Sequence, residues 1–284
     1  MIENSSSESN TVNPQVPKTA RISLMTKPRL ILRSVLAVLG LVTIYSLVTM
    51  DTAGLKLGEA FHSLGINLKA MFLQPNVGQD TWSVLLKALS TSIALTLLTT
   101  LLGALIAFFI AVFSARNLSP AWLANTLKAV MAFIRSIPTI IWVLIYSAVM
   151  GLGASAAVIG LTFHSIAYLV KAYSESIEET PQATIEALKA SGVRFWPIIF
   201  QAILPSIVPA LLSWTFIRFE INFANAVAVG AAAGADDIGY YLFMASGFYF
   251  NFHEVGLIVY LLLGFAIILE LISMRLRGHY LKRN

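Results

Sequence analysis

Residues 186–205 read EALKASGVRFWPIIFQAILP, a polar and glycine-broken stretch between two long apolar runs. Its first half carries Glu186, Lys189 and Arg194, and Gly192 interrupts it. Charged side chains are costly in a hydrocarbon environment, so a stretch of this kind indicates a segment outside the membrane if the flanking runs cross one.

A short helix is predicted directly before this glycine. The sequence QATIEALKAS, residues 182–191, is rich in alanine and other helix formers. Thr180 is expected to be its N-cap, with Pro181 at the first helical position. Gly192 is expected to close the helix in a left-handed conformation. Small side chains dominate this helix, so a partner can approach it closely.

A second helix is predicted to follow and to enter the next apolar run. Phe195 and Trp196 are expected at the membrane interface, where aromatic side chains concentrate. Leu204 and Pro205 then lead into the apolar segment. The alternative that the residues leave open is an interfacial amphipathic segment that binds no partner.

The composition of the whole chain indicates an integral membrane protein. Of its 284 residues, 57% are hydrophobic and 12% are charged, whereas soluble domains carry roughly 25% charged residues. The chain has no cysteine, which excludes disulfides and thiolate metal sites. Its formal net charge of +5 is explained by basic cytoplasmic loops rather than by nucleic-acid binding.

The apolar runs predict an all-α membrane protein with about six transmembrane helices. A bilayer core of ~30 Å requires ~20 helical residues, and each run reaches that length. Residues 1–28 are rich in Ser, Asn and Pro and predict a disordered tail, which leaves 29–284 as the transmembrane domain. The runs are approximately 30–50, 83–113, 122–150, 154–173, 205–232 and 253–274.

Basic residues predict the orientation. They concentrate before the first run, in the polar segment 174–204 and after the last run, and these regions share one side if the helices alternate. The positive-inside rule then places both termini and the polar segment of this multi-pass chain in the cytoplasm.

The polar segment resembles the EAA loop of the permease subunits of ABC importers. Glu186-Ala187, Gly192 and Leu204-Pro205 stand at the spacing of that family. The resemblance implies a type I ABC importer permease fold. It also implies that the loop, residues 174–204, forms a coupling helix that docks in a cleft of a cytoplasmic ATPase subunit.

Other segments resemble phosphonate-import permeases, whose relatives carry phosphonates, phosphite or hypophosphite. These segments are RSIPTIIWVLI (135–145), FIRFEINFANAVAVG (216–230) and DDIGYYL (236–242). The chain departs from the family at Thr139, where Glu is frequent, at Ala224, where Arg is frequent, and at Asp236-Asp237, where a Gly pair is usual. The departures concern the substrate more than the transporter class, so another small solute remains an alternative.

Charged residues within the apolar runs are candidates for the translocation path. Arg218, Asn222 and Asn225 are spaced to form one polar stripe on the fifth helix. The guanidinium of arginine matches the oxygens of a phosphoryl group, so the stripe is expected to line the path of an oxyanion. Arg135 and Glu220 are also placed on this path, and the alternative for them is a structural ion pair between helices.

Three further features have structural interpretations. His164, on an apolar helix, is expected to be a packing histidine whose ring nitrogens are satisfied by hydrogen bonds. The pair Asp236-Asp237 is expected to cap a re-entrant turn, and the alternative is that it repels anions from the exit. Arg135 lies three residues before Pro138, and the proline is expected to kink the third apolar run because it cannot donate a backbone hydrogen bond.

The resemblance implies the partners and cofactors. A second permease copy would complete a homodimeric pore, two ATPase copies would bind inside, and a substrate-binding protein would deliver the ligand outside. The sequence contains no G-x-x-x-x-G-K-[ST] motif, so ATP and Mg²⁺ are expected in the ATPase subunit, with no cofactor or metal in this chain.

Two other classes of protein were weighed. A membrane enzyme is disfavoured, since G-x-S-x-G and H-E-x-x-H motifs are absent and no catalytic residue is predicted. An ion-coupled secondary transporter commonly has inverted repeats with broken helices, and no clear repeat is visible here. A co-purifying ATPase chain distinguishes an ABC importer from both.

Overall fold

The computed structural model describes residues 27–49 and 56–281; the predicted tail, up to residue 26, lies outside this range. The described residues form helices and no strand. In chain order the α-helices are α1 (Lys27–Thr49), α2 (Leu57–Leu73), α3 (Trp82–Ser114), α4 (Ala121–Ser136), α5 (Thr139–Met150), α6 (Ala154–Glu178), α7 (Gln182–Ala190), α8 (Phe195–Pro197), α9 (Leu204–Ala233), α10 (Ile238–Phe243) and α11 (Phe252–Leu281).

The helices confirm the prediction of an all-α membrane protein. Five helical stretches of the described chain are long and apolar enough to cross a membrane, and helices α4 and α5 count as a sixth span if the bent pair is taken as one. The five stretches are Pro28–Thr49, Trp82–Ser114, Ala154–Glu178, Phe195–Ala233 and Phe252–Arg275.

The chain divides into two compact units, one up to Ala60 and the other from Phe61 onward. Within the second unit, α6 is the central helix and packs against α3, α4, α5 and α9. Between Ala88 and Val112, the residues that α3 buries are small and recur at helical spacing, which lets two helices approach closely. They are Ser92, Thr96, Thr99, Thr100, Gly103, Ala107 and Ala111.

Pro138 breaks the third apolar run, as expected, and the effect exceeds a kink. Helices α4 and α5 meet at 86°. Because Pro138 has no N–H, it cannot bond the carbonyl of Ile134, and the indole Nε1–H of Trp142 donates to that carbonyl instead, at 3.0 Å. The carbonyl of Ile134 therefore has a hydrogen-bond donor although the helix is broken.

Gly160 allows α5 and α6 to touch through their backbones. A Cβ at this position would lie 2.7 Å from Cα of Val143. We therefore expect Gly160→Ala to destabilise the protein by about 1–3 kcal/mol through overpacking, seen as a lower Tm in detergent. Gly264→Ala is the matched control, since nothing lies within 4 Å of its Cβ position. Equal Tm values for the two variants would contradict the tight contact.

Candidate functional site

Helix α7 ends as the sequence predicts. Gly192 has φ +79°, the N–H of Val193 donates to the carbonyl of Leu188 at 3.2 Å, and the N–H of Gly192 donates to the carbonyl of Lys189 at 3.0 Å. This pair of bonds is a Schellman motif, which requires a left-handed residue after the helix. The prediction that Gly192 closes the helix in a left-handed conformation is confirmed.

The start of α7 differs from the prediction. Pro181, and not Thr180, is the N-cap, and no side chain caps this end. Thr180 instead completes α6, because its N–H donates to the carbonyl of Ile177 at 3.1 Å. Helix α6 runs through Glu178, so the first five residues of the predicted loop 174–204 are helical and continuous with the span.

The two faces of α7 have different environments. Ile185 is fully buried in the core of its own subunit, and Leu188 packs against that core. Glu186 and Ala187 are exposed, and Glu186 accepts a hydrogen bond from Gln182 Nε2 at 3.1 Å. The helix is thus anchored from within and presents a surface of small and charged side chains outward.

From Phe195 onward, the connection into α9 is a continuous helical stretch with one irregular turn. Residues Ile198–Ile203 form a π-helical turn, in which the N–H of Leu204 donates to the carbonyl of Ile199. Pro205 has no N–H to continue the regular ladder, so the wider turn is placed directly before it. Leu204 and Pro205 therefore mark the point where the loop becomes the span.

Arg218 lies in a buried polar cluster inside the subunit. Its side chain is 1% exposed. Nε donates to Ser165 Oγ at 3.1 Å, and Nη2 donates to His164 Nδ1 at 3.0 Å. The guanidinium also lies 5.0 Å from the centroid of the Tyr168 ring, a favourable cation–π distance.

Asn222 joins this cluster to a third helix. Its Nδ2 donates to Thr100 Oγ1 of α3 at 2.9 Å, and Ser165 Oγ of α6 donates to its Oδ1 at 3.1 Å. The side chain is fully buried. Arg218 and Asn222 thus tie α9 to α6 and α3 through hydrogen bonds to uncharged groups.

The three residues of the predicted stripe all lie on α9, but their side chains do not share one set of hydrogen bonds. Arg218 and Asn222 share the cluster, whereas Asn225 is half-buried outside it. Glu220 is half-buried on the same helix. Arg135 is half-buried in the last turn of α4.

Sequence reasoning missed part of this cluster. His164 is a satisfied histidine, as expected, but its partner is the arginine, which the sequence did not indicate. Ser165 and Tyr168 were not predicted, and neither was Thr100 of α3. The small polar residues that recur along α3 could have indicated the contribution of Thr100, because such a row of residues is typical of a helix–helix interface.

The capping interpretation of the aspartate pair is confirmed for Asp237. This residue is the N-cap of α10, and its Oδ1 accepts from the N–H of Tyr240 at 3.1 Å. Gly230 of α9 leaves the room for the carboxylate, since a Cβ there would overlap it. Asp236, at φ +51°, accepts from the hydroxyl of Tyr241 at 2.9 Å.

Comparisons with known proteins place the chain among transport proteins. The family of binding-protein-dependent transport system inner membrane components matches residues 103–283. The phosphite transport system permease protein PtxC of Stutzerimonas stutzeri is 28% identical over 204 residues, 72% of each chain. The phosphate-import permease protein PhnE of Mycolicibacterium smegmatis is 30% identical over 230 residues, 75% of this chain and 42% of that protein.

Solved structures share the fold. The inward-facing MetNI methionine ABC transporter matches with a TM-score of 0.65 at 21% identity, over 72% of this chain and 99% of the transporter chain. An importer of the acidic polysaccharide alginate matches with a TM-score of 0.59 at 14% identity, over 87% of this chain and 95% of that chain. These likenesses confirm the type I ABC importer permease fold.

Proposed function

This chain belongs to the family of binding-protein-dependent transport system inner membrane components, and we propose that it carries a phosphonate or a related oxyanion such as phosphite or phosphate. It is a multi-pass membrane protein, a permease subunit of an ABC importer and not an enzyme. Several relatives are named for phosphite, phosphate or phosphonate transport, which supports this class of substrate.

The observation that carries the proposal is the Arg218 cluster. An arginine within a membrane span costs free energy on insertion, so it is found mainly where it lines a substrate path or pairs with another group. The described groups within hydrogen-bond distance of its side chain, Ser165 and His164, are uncharged when His164 accepts, so they do not neutralise it. At 1% exposure, the guanidinium meets an anion only after α6 and α9 move apart.

The assembly follows from the proposed function. A second copy of this chain completes the pore as a homodimer, since closed symmetric pairs are the common solution. The exposed face of α7, with Glu186 and Ala187, contacts one of two ATPase subunits that hold ATP and Mg²⁺. ATP closes the ATPase pair, and the pore changes state because ATP binds one state better than the other.

The substrate is tested with the whole complex. The permease, its ATPase and its binding protein are reconstituted in proteoliposomes, and ATP hydrolysis is measured with the binding protein loaded with phosphite, phosphate, methylphosphonate or methionine. We expect stimulation by at least one phosphorus oxyanion and none by methionine. Stimulation by methionine alone would overturn the proposal.

Topology is tested by single-cysteine labelling, which the absence of native cysteine makes direct. Both termini and α7 are proposed to be cytoplasmic. Lys189 and Gln79 are exposed at positions suited to a label. We expect a membrane-impermeant maleimide added outside spheroplasts to react with Gln79→Cys and not with Lys189→Cys. Labelling of both variants from outside would contradict the orientation.

A further inference from the structure

A basic cavity lies between α4 and α6, toward the end of α6 that leads to α7. Its volume is about 240 Å³, whereas a water molecule takes up roughly 30 Å³ of the liquid. Three cationic side chains line it, from Lys128, Arg135 and Lys171, together with Ser174 and Glu175. The space is large enough for a small oxyanion with its hydration.

Helical spacing brings these residues to one place. Lys128 and Arg135 are seven residues apart on α4, two helical turns, and so share a face of that helix. Lys171, Ser174 and Glu175 are three and four residues apart on α6 and share a face as well. The packing of α4 on α6 turns the two polar faces toward each other.

The charges of the cavity are incompletely matched. Lys128 Nζ pairs with Glu178 at 2.7 Å, while Lys171 Nζ and Glu175 are 3.8 Å apart, beyond hydrogen-bond distance. Arg135 Nε is buried and has no hydrogen-bond partner in the part of the chain that the structure describes. Three cations thus face two carboxylates, and one buried donor lacks an acceptor.

An anion would correct both deficits. A buried donor without an acceptor destabilises the structure, and the guanidinium donates best to the oxygens of carboxylate and phosphate groups. A carboxylate is already supplied by the protein on the lysine side. Arg135 and Lys171 still lack a close acceptor, and a group with several oxygens could accept from both.

We propose that this cavity binds a phosphate-class oxyanion, either a free phosphate ion or the phosphate of an anionic lipid headgroup. The site goes beyond the proposed transport path, because it lies between α4 and α6 and uses lysines that the path does not include. It binds its ligand whether or not the protein transports that ligand.

The test measures binding to the purified full-length chain without its ATPase. In one arm, the chain in phosphatidylcholine nanodiscs is titrated calorimetrically with inorganic phosphate at low ionic strength. In the other arm, phosphatidylglycerol retained by the chain is measured by native mass spectrometry. We expect saturable binding in at least one arm, and weakening in high salt.

The variants change lysines and leave Arg135 unchanged, so that the cavity is probed apart from the transport path. Lys171→Gln, at a half-exposed side chain, is expected to weaken binding roughly tenfold through loss of one charge-assisted bond. Lys128→Gln with Lys171→Gln should weaken it further. Lys87→Gln, on the exposed surface of α3, is the matched control and should bind as the wild type.

Each outcome decides the proposal. Phosphate binding that Lys171→Gln weakens identifies a free ion, and lost phosphatidylglycerol retention identifies a lipid; both support the site. No saturable binding in either arm overturns it, as does binding that Lys171→Gln leaves unchanged or that Lys87→Gln weakens equally. If the double variant has a lowered Tm, the single variant, which keeps the Lys128–Glu178 pair, decides. Methionine-stimulated ATPase activity would refute the transport proposal without touching this one.

Discussion

Replacing Arg218 with glutamine should reduce substrate uptake about 10- to 100-fold, while the complex with the ATPase still assembles. A charge-assisted hydrogen bond is worth about 1.5–3 kcal/mol, and each 1.4 kcal/mol is a factor of about ten. The glutamine retains a polar group near Ser165 but removes the positive charge that would lower the barrier for an anion. Uptake of labelled substrate by proteoliposomes measures the effect.

Arg218→Lys is the matched control. It keeps the charge and loses the planar fork of donors, so partial uptake is expected. The competing explanation is that Arg218 forms a structural ion pair with Glu220 of the second copy. In that case Arg218→Gln lowers Tm, and adding Glu220→Gln restores both Tm and uptake. Restoration of both by the paired change would exclude the anion path.

Replacing Gly192 with valine should reduce transport about tenfold without preventing insertion into the membrane. Gly192 has φ +79°, and nothing lies within 4 Å of where a Cβ would be. The expected effect is therefore conformational: a left-handed backbone costs an L-residue about 1–2 kcal/mol, more for a β-branched one. The Schellman turn should open, and α7 should present its outer face incorrectly to the ATPase.

Gly192→Asn distinguishes conformation from side-chain bulk. Asparagine tolerates the left-handed region better than other non-glycine residues, so this variant should keep most of its transport although it also adds a side chain. Co-purification of the ATPase and uptake are measured for both variants. Equal loss in the two would mean that the surface of the loop, rather than its turn, determines docking.

Several features of the fold could be predicted from residues that are close together in the chain. The alanine-rich run followed by Gly192 predicted α7 and its left-handed end, because helix closure depends on residues within five positions of one another. The missing N–H of Pro138 predicted the break between α4 and α5. The length of the apolar runs predicted the number of spans, since bilayer thickness sets it.

Competition between neighbouring helices was harder to predict. Thr180 has the side chain of an N-cap, yet its N–H closes the end of α6, and Pro181 takes the N-cap of α7. Sequence preference describes each helix end by itself. Here the end of α6 and the start of α7 lie within four residues. The backbone of Thr180 completes α6, so this residue does not cap α7.

The amino-acid sequence by itself determined that this is a membrane protein, its spans, the broken helix and the left-handed turn at Gly192, all of which depend on composition or on residues close in the chain. Only the tertiary structure decided that Arg218 bonds Ser165 and His164, and that Asn225 stays outside their cluster. Helical periodicity tells which residues share a face, but not which face of another helix they meet. That choice depends on how α6 packs against α3 and α9, and small residues such as Gly103 and Ser165 allow the close approach.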